Sequence, residues 1–203
     1  MSNRIITISR EFGSGGHTVG KKVAERLGIP CYDNELIQKI AEQSGFVEEY
    51  IKEEGEHVPQ SSWLASAFTG WNWNGPSNQD LLWTIQRNII LELAEKESCV
   101  IVGRCADYAL ADYPNTVSVF ITGNDENKLN SIKSLYHVDD AKAKGIMVKT
   151  DKKRSSYYNY YSSKKWGDSR SYDMCINSSV LGPEGTADMI IAFAKAKEAQ
   201  NQK

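Results

Sequence analysis

The feature that most constrains this 203-residue chain is a glycine loop set between a strand pattern and a helix pattern near its start. Residues 4–9 form a β-branched run, the composition of a buried strand. Residues 10–16, Arg-Glu-Phe-Gly-Ser-Gly-Gly, break it. Over residues 17–27, Val19, Val23, Ala24 and Leu27 recur at helical spacing, and Gly28 ends the periodicity. Glycines at 13, 15 and 16 let successive backbone N–H groups turn inward without a Cβ clash. A nest of amides backed by the positive end of a helix binds phosphate. Phe12, Gly13, Ser14, Gly15, Gly16, His17 and Thr18 are therefore the candidate phosphate-binding residues. Thr18 stands where it can cap the helix, bind a phosphate oxygen or reach a metal ion.

The loop departs from the strict G-x-x-x-x-G-K-[ST] phosphate-loop pattern. With Gly15 as the second glycine, Arg10 takes the first glycine's place, Gly16 the lysine's and His17 the hydroxyl residue's, with Thr18 one position late. A dinucleotide site is a second reading, because Gly13-x-Gly15 precedes a helix and Asp33 follows. Its third glycine would fall at Thr18, and the strand-to-helix loop is too long for it. A helix entry with flexible glycines and no ligand is the plain structural alternative.

The remaining pattern alternates strands and helices, which argues a parallel α/β sheet. Residues 29–32 read as a second strand, with Asp33 just beyond, and residues 35–43 as a helix carrying Leu36, Ile37, Ile40 and Ala41. Residues 81–96 read as a long helix, and residues 98–102 as a third strand that delivers Gly103 and Arg104 at its carboxyl end. Residues 116–122 and 174–177 read as the fourth and fifth strands, and residues 186–199 as a closing helix. Residues 55–78 mix Pro, Ser, Asn and Gly with Trp63, Phe68, Trp71 and Trp73. They form either a functional loop or a surface insertion whose tryptophans fold back.

Charge is unevenly placed. Residues 139–170 hold nine Lys or Arg against four Asp, a local +5 that leaves −7 for the rest of a chain of net charge −2. This block is either a lid facing polyphosphate or a solvated helical face. Within it Tyr157, Tyr158, Tyr160, Tyr161 and Lys164 interleave aromatic and basic groups, a pattern that stacks bases or, at helical spacing, simply packs. The overall charge gives no global attraction to nucleic acid, which is not an expected partner. Cys31, Cys99, Cys105 and Cys175 form no C-x-x-C pair and read as free buried thiols. Arg4 interrupts any signal peptide, and no apolar run approaches the roughly 20 residues of a membrane span. A cytoplasmic protein without membrane attachment is expected.

Three blocks carry a family resemblance. ITISREFGSGGHTVGKKVAERLGIPCYDNELI at the start, ELAEKESCVIVGRCADYAL over residues 92–110 and DKKRSSYYNYYSSKKWGDSRSYDMCINSS over residues 151–179 resemble the cytidylate kinase-like family. The resemblance covers most of the chain except residues 55–78. It implies an α/β, three-layer αβα P-loop kinase fold with a central parallel sheet, in one domain over residues 1–203. A monophosphate-binding insertion with its long helix would occupy residues 45–95, and a basic helical lid residues 139–170. The implied donor is Mg2+ with ATP or another NTP. The implied acceptor is a nucleoside monophosphate of the CMP type, or a related small phosphorylated or hydroxyl compound.

Carried over residue by residue, positions 10–18 would cradle the donor phosphates. Arg10, Arg104, Arg154 and Lys153 would be catalytic cations, with Lys152 beside them. Lys39 and Arg104 would contact the acceptor. Guanidinium groups suit such places because their planar fork pairs with phosphate bidentately. Beside the resemblance, Glu11 and Asp33 are the nearby carboxylates for metal or hydroxyl contacts, Glu11 with Thr18 at the metal and Asp33 at the acceptor, where Asp33 equally suits capping the helix before Glu35. Ser9 and Val102 stand where true cytidylate kinases have aspartates, and the loop lacks its lysine. A missing electrostatic donor costs roughly 10²–10³ in rate unless Arg10, Lys21 or a lid cation replaces it. A nucleotide sensor with weak catalysis is the rival from another functional class.

Overall fold

The computed structural model describes residues 3–33 and 78–201. The helix expected at residues 35–43, Lys39 and nearly all of the stretch at 55–78 lie outside the described residues.

β1 (Ile5–Arg10) lies at the centre of a five-stranded sheet. It pairs with β3 (Cys99–Val102) on one side, Ile6 opposite Val100, and with β4 (Thr116–Thr122) on the other, Ile8 opposite Val119. β2 (Cys31–Tyr32) flanks β3, and β5 (Met174–Asn177) flanks β4. All four pairings are parallel, in the order β2-β3-β1-β4-β5. β2 starts later than its apolar pattern suggests for a local reason. The Gly28 and Ile29 amides close the end of the preceding helix on Glu25 and Ala24 carbonyls. Pro30 has no N–H to give the ladder.

Both faces of the sheet are covered, which is why its strands are almost uninterruptedly apolar. On one face Ile6, Ile8, Val100, Val102, Val119 and Ile121 meet α1 (Gly16–Leu27) and α6 (Ser178–Asn201) through Val19, Val23, Ala187 and Ile190. On the other, Ile5, Cys99 and Ile101 meet α2 (Asn78–Lys96) and the short α3 (Ala106–Ala109) through Ile89, Ile90, Leu93 and Ala109. The result is the three-layer αβα arrangement. Gly182, at φ 65°, divides α6 into a short first turn and a main helix led by Pro183.

The basic segment is a helix for most of its length. α4 (Asp125–Tyr136), which the sequence pattern does not mark, packs on α5 (Asp140–Tyr161) through Ile132, Ala143 and Met147. Asp139 caps α5, its carboxylate accepting from the Lys142 amide at 2.8 Å. Tyr157 and Tyr158 are buried, and Tyr161 stacks on Trp83 with ring centroids 5.1 Å apart. Only Tyr160 of the four tyrosines is exposed, so this aromatic run is a packing surface rather than a platform for bases. A 3₁₀ turn at Ser169–Ser171 leads into β5. None of the four cysteines forms a disulfide, and Cys99 and Cys105 are buried, as the sequence suggests. Cys175 is exposed, because it sits on the edge strand β5. Among the described residues no helix is long and apolar enough to cross a membrane.

Candidate active site

The site is built at the carboxyl edge of the sheet, where β1 ends and α1 begins. Gly13 and Gly15 adopt φ 82° and 75°, left-handed values that a side chain would strain. Gly15 occupies the cap position of α1, no side chain caps the helix, and no acidic residue stands in its first turn. The positive end of α1 is therefore uncompensated. Among the described residues, the amides of Gly13, Gly15, Gly16, His17 and Thr18 have no hydrogen-bond partner. Phe12 differs, because its N–H donates to Asp151 of α5 at 2.7 Å. The Ser14 amide turns back to the Glu11 carbonyl at 3.4 Å, and its side chain is directed into the sheet, toward the Glu11 and Ile121 carbonyls.

The loop is held from below. Ser178 Oγ donates to the Ser14 carbonyl at 2.7 Å. A Cβ built on Gly13 would lie 2.7 Å from the Lys128 carbonyl oxygen, so loop and α4 backbone are in direct contact. The Glu11 carboxylate accepts from Thr122 Oγ1 at 2.6 Å, from the Gly123 amide at 3.2 Å and from Lys128 Nζ at 3.0 Å. Lys128 also pairs with Asp125 at 2.9 Å. Burial opposes its charge, but Asp125 and Glu11 outweigh that and hold the ammonium pKa above the ordinary lysine value. Glu11, expected from the sequence as a metal contact, makes all three of these bonds through Oε2.

Above the loop three arginines converge. The Arg10 side chain lies between two glycines: a Cβ on Gly16 would be 2.6 Å from Arg10 Cβ, and one on Gly103 2.1 Å from Arg10 Nη1. Gly103, Arg104 and Cys105 run consecutively through positive φ, at 80°, 58° and 49°. For the two non-glycine residues this costs roughly 1–2 kcal/mol each, strain of the kind stored at functional sites. Gln86, buried on α2, steadies the turn by donating to the Arg104 carbonyl and to Tyr157 Oη, both at 3.0 Å. Arg10, Arg104 and Arg154 share a cavity of about 30 Å³ with Ser9, Tyr158 and Trp166. Arg154 Nη1 donates to the Arg10 carbonyl at 3.3 Å, and the guanidinium sits 5.3 Å from the Phe12 ring centroid.

Two further carboxyl groups bear on the site. Tyr158 Oη donates to Asp107 at 2.6 Å. Burial raises the Asp107 pKa despite that hydrogen bond, and burial with the adjacent carboxylate pushes the Tyr158 phenol far up, so it stays protonated. Burial likewise raises Asp151, partly opposed by the Phe12 N–H and Arg154. At the other end of the loop, His17 Nδ1 lies 2.7 Å from Asp33 Oδ2. Thr18 is exposed in the first turn of α1, and Lys153 is half-buried on α5. Lys39 lies outside the described residues. Lys128, Asp151, Asp107 and Gln86 belong to no motif of the sequence. Each contacts the site from a separate element, and no local motif flags it.

A kinase-like, nucleotide-binding phosphotransferase is the class that fold and loop define. The chain belongs to the cytidylate kinase-like family, whose model matches residues 5–180. An uncharacterised protein from Eubacterium ventriosum is 37% identical, with 95% of this chain and 99% of that one covered and a TM-score of 0.73. The fold alone is shared with shikimate kinase from Bacteroides thetaiotaomicron, at 17% identity, coverage of 95% and 98%, and a TM-score of 0.55. It is also shared with a gluconokinase from Sinorhizobium meliloti, at 16% identity, coverage of 98% and 95%, and a TM-score of 0.53. Among curated proteins none matches the chain.

Proposed function

We propose that this protein transfers the terminal phosphate of a nucleoside triphosphate, ATP or another, to a small anionic acceptor. That acceptor is a nucleoside monophosphate of the CMP type or a related phosphorylated or hydroxyl compound. The observation that carries the reading is the set of five loop amides without a partner among the described residues, at an uncapped helix start beside three arginines. Phosphoryl transfer asks a protein for positioning and charge neutralisation, and this edge supplies both. The amides of residues 13 and 15–18 receive the donor phosphates. Arg10, lying along Gly16 where a loop lysine would begin, supplies the missing cation. Arg104 and Arg154 grip the acceptor's anionic group, and α5, with Lys152 and Lys153, acts as the lid that keeps water out.

The donor set suits Mg2+ brought in with the triphosphate, an ion usually held by one or two carboxylates and phosphate oxygens rather than by a protein cage. Thr18 and Asp33 are the residues to hold it, and the ion neutralises charge on the phosphates when bound. The structural neighbours named for shikimate and gluconate widen the range of acceptors beyond nucleotides. The test is incubation of purified protein with Mg-ATP and a panel of nucleoside monophosphates and small hydroxyl anions. Acceptor-dependent ADP formation supports transfer. A second reading, a nucleotide sensor, is favoured by the lysine-free loop. Nucleotide-induced thermal stabilisation without turnover would establish it, whereas turnover of about 1–100 s⁻¹ would dismiss it.

A further inference from the structure

Within the phosphotransfer reading, on which this inference rests, the arginine cavity carries a further donor, the Tyr157 phenol. We propose that Tyr157, turned by Gln86, donates its hydroxyl proton to the acceptor anion gripped by Arg104 and Arg154. It thereby selects acceptors that carry a phosphate monoester over those that carry a carboxylate.

Gln86 fixes which way that proton points. Its side-chain nitrogen lies 3.0 Å from the Arg104 carbonyl oxygen and 3.0 Å from Tyr157 Oη. A carbonyl oxygen only accepts, so the amide turns its NH2 end, not its oxygen, toward both groups. Tyr157 Oη therefore accepts from Gln86 and keeps its own proton to give. Among the described residues that proton has no acceptor. Of the two phenols that line the cavity, Tyr158 has committed its proton to Asp107 at 2.6 Å, and Tyr157 has not. Burial, with the Cys105 thiol next, outweighs Arg104 and Gln86 and raises the Tyr157 pKa well above the ordinary phenol value. The group stays a neutral donor.

The same bridge places the hydroxyl at the clamp, because it ties Oη to the backbone of the strained turn whose Arg104 and Cys105 line the cavity. The cavity, about 30 Å³, has room for an anionic head and not for the body of a ligand, since one water takes roughly 10–15 Å³. A carboxylate has two oxygens, which the forks of Arg104 and Arg154 occupy. A phosphate monoester has three acceptor oxygens, and the third is left for the phenol. The phenol bond is thus one that a phosphate makes and a carboxylate does not.

The experiment saturates the full chain with a non-hydrolysable Mg-ATP analogue, so that the loop amides are filled, and titrates acceptors by calorimetry. CMP and glycerol 3-phosphate are the phosphate probes, shikimate and gluconate the carboxylate probes. The phosphate probes should bind more tightly. Tyr157→Phe should weaken their binding about 10- to 100-fold, the worth of a hydrogen bond to a charged group, and leave the analogue and the carboxylates unaffected. Gln86→Leu breaks the same bridge but keeps the phenol proton, so it should lower phosphate affinity less than Tyr157→Phe does. Carboxylates bound as tightly as the phosphate probes overturn the inference without recourse to any variant. So do an unchanged preference in Tyr157→Phe, equal losses in the two variants, and an analogue-loaded protein that takes no phosphate probe. Each of these leaves the nucleotide site of the phosphotransfer reading standing, whereas an analogue that does not bind overturns both.

Discussion

Alanine substitution at two glycines of the same loop, Gly13 and Gly15, separates backbone strain from steric contact. Both residues sit at nearly the same positive φ, 82° and 75°. Each substitution therefore carries a similar left-handed penalty of about 1–2 kcal/mol. Each also restricts the unfolded chain, a gain of about 0.4–1 kcal/mol common to both, which cancels in the comparison. The neighbours differ. A Cβ at Gly15 meets nothing within 4 Å, whereas one at Gly13 meets the Lys128 carbonyl oxygen at 2.7 Å and its Cα at 3.0 Å. Those are backbone atoms of a helix and cannot swing aside as a side-chain tip can. Overpacking of this kind costs about 1–3 kcal/mol, so Gly13→Ala should be less stable than Gly15→Ala by that amount. For a chain of this size the gap corresponds to roughly 2–4 °C in Tm per kcal/mol. Urea unfolding of the two variants side by side measures it. Equal midpoints, or a lower one for Gly15→Ala, would show that loop and α4 are not in contact at Gly13 and would refute the account of how the loop is supported.

Other perturbations report on the remaining parts. Arg104→Ala should weaken acceptor binding about 10- to 100-fold, the worth of a charge-assisted hydrogen bond, with ATP binding and the unfolding midpoint nearly unchanged; an unaltered acceptor KM would remove Arg104 from the clamp. Gln86→Leu leaves the Arg104 carbonyl and Tyr157 Oη without their shared donor and should cost about 1–3 kcal/mol, read from denaturant melts; no loss of stability would show that the bridge is idle. Asp107, its pKa raised by burial, holds its proton to higher pH in the folded than in the unfolded chain. Its contribution is therefore full in acid and falls as pH rises through the folded value. Asp107→Asn, which still accepts from Tyr158, should be more stable than the unsubstituted protein at neutral pH and lose that advantage in acid; parallel pH profiles for the two proteins would contradict this.

The sequence reveals the parts whose physics is local. β4 and β5 are found to the residue, because alternating or apolar runs bounded by turns define them. The glycine loop and the start of α1 are equally plain. α5 is visible only as a charge block, because its two ends pack on different partners. Met147 joins the α4 contact while Tyr157 and Tyr158 join an aromatic cluster with Phe120, so no single apolar stripe runs along it. α4 hides for a similar reason, with Asn127, Asn130 and Ser131 diluting a helix held by its contact with α5. In the site, the arginines named from sequence, Arg10, Arg104 and Arg154, line one cavity. Lys128 and Asp151, which hold the loop, come from elements far along the chain, and pairings of that kind leave no trace in local spacing.

The hydrogen bond between the Phe12 amide and Asp151 has a mechanical consequence. One amide proton serves one strong acceptor, so an anion that settles deep enough to use it evicts Asp151. That residue shares a turn of α5 with Arg154, and freeing it loosens the anchorage of the guanidinium beside it. By the same linkage, any force that lifts α5 away raises the loop's affinity for anions at that amide. Filling the loop and moving the basic helix are therefore two readings of a single balance.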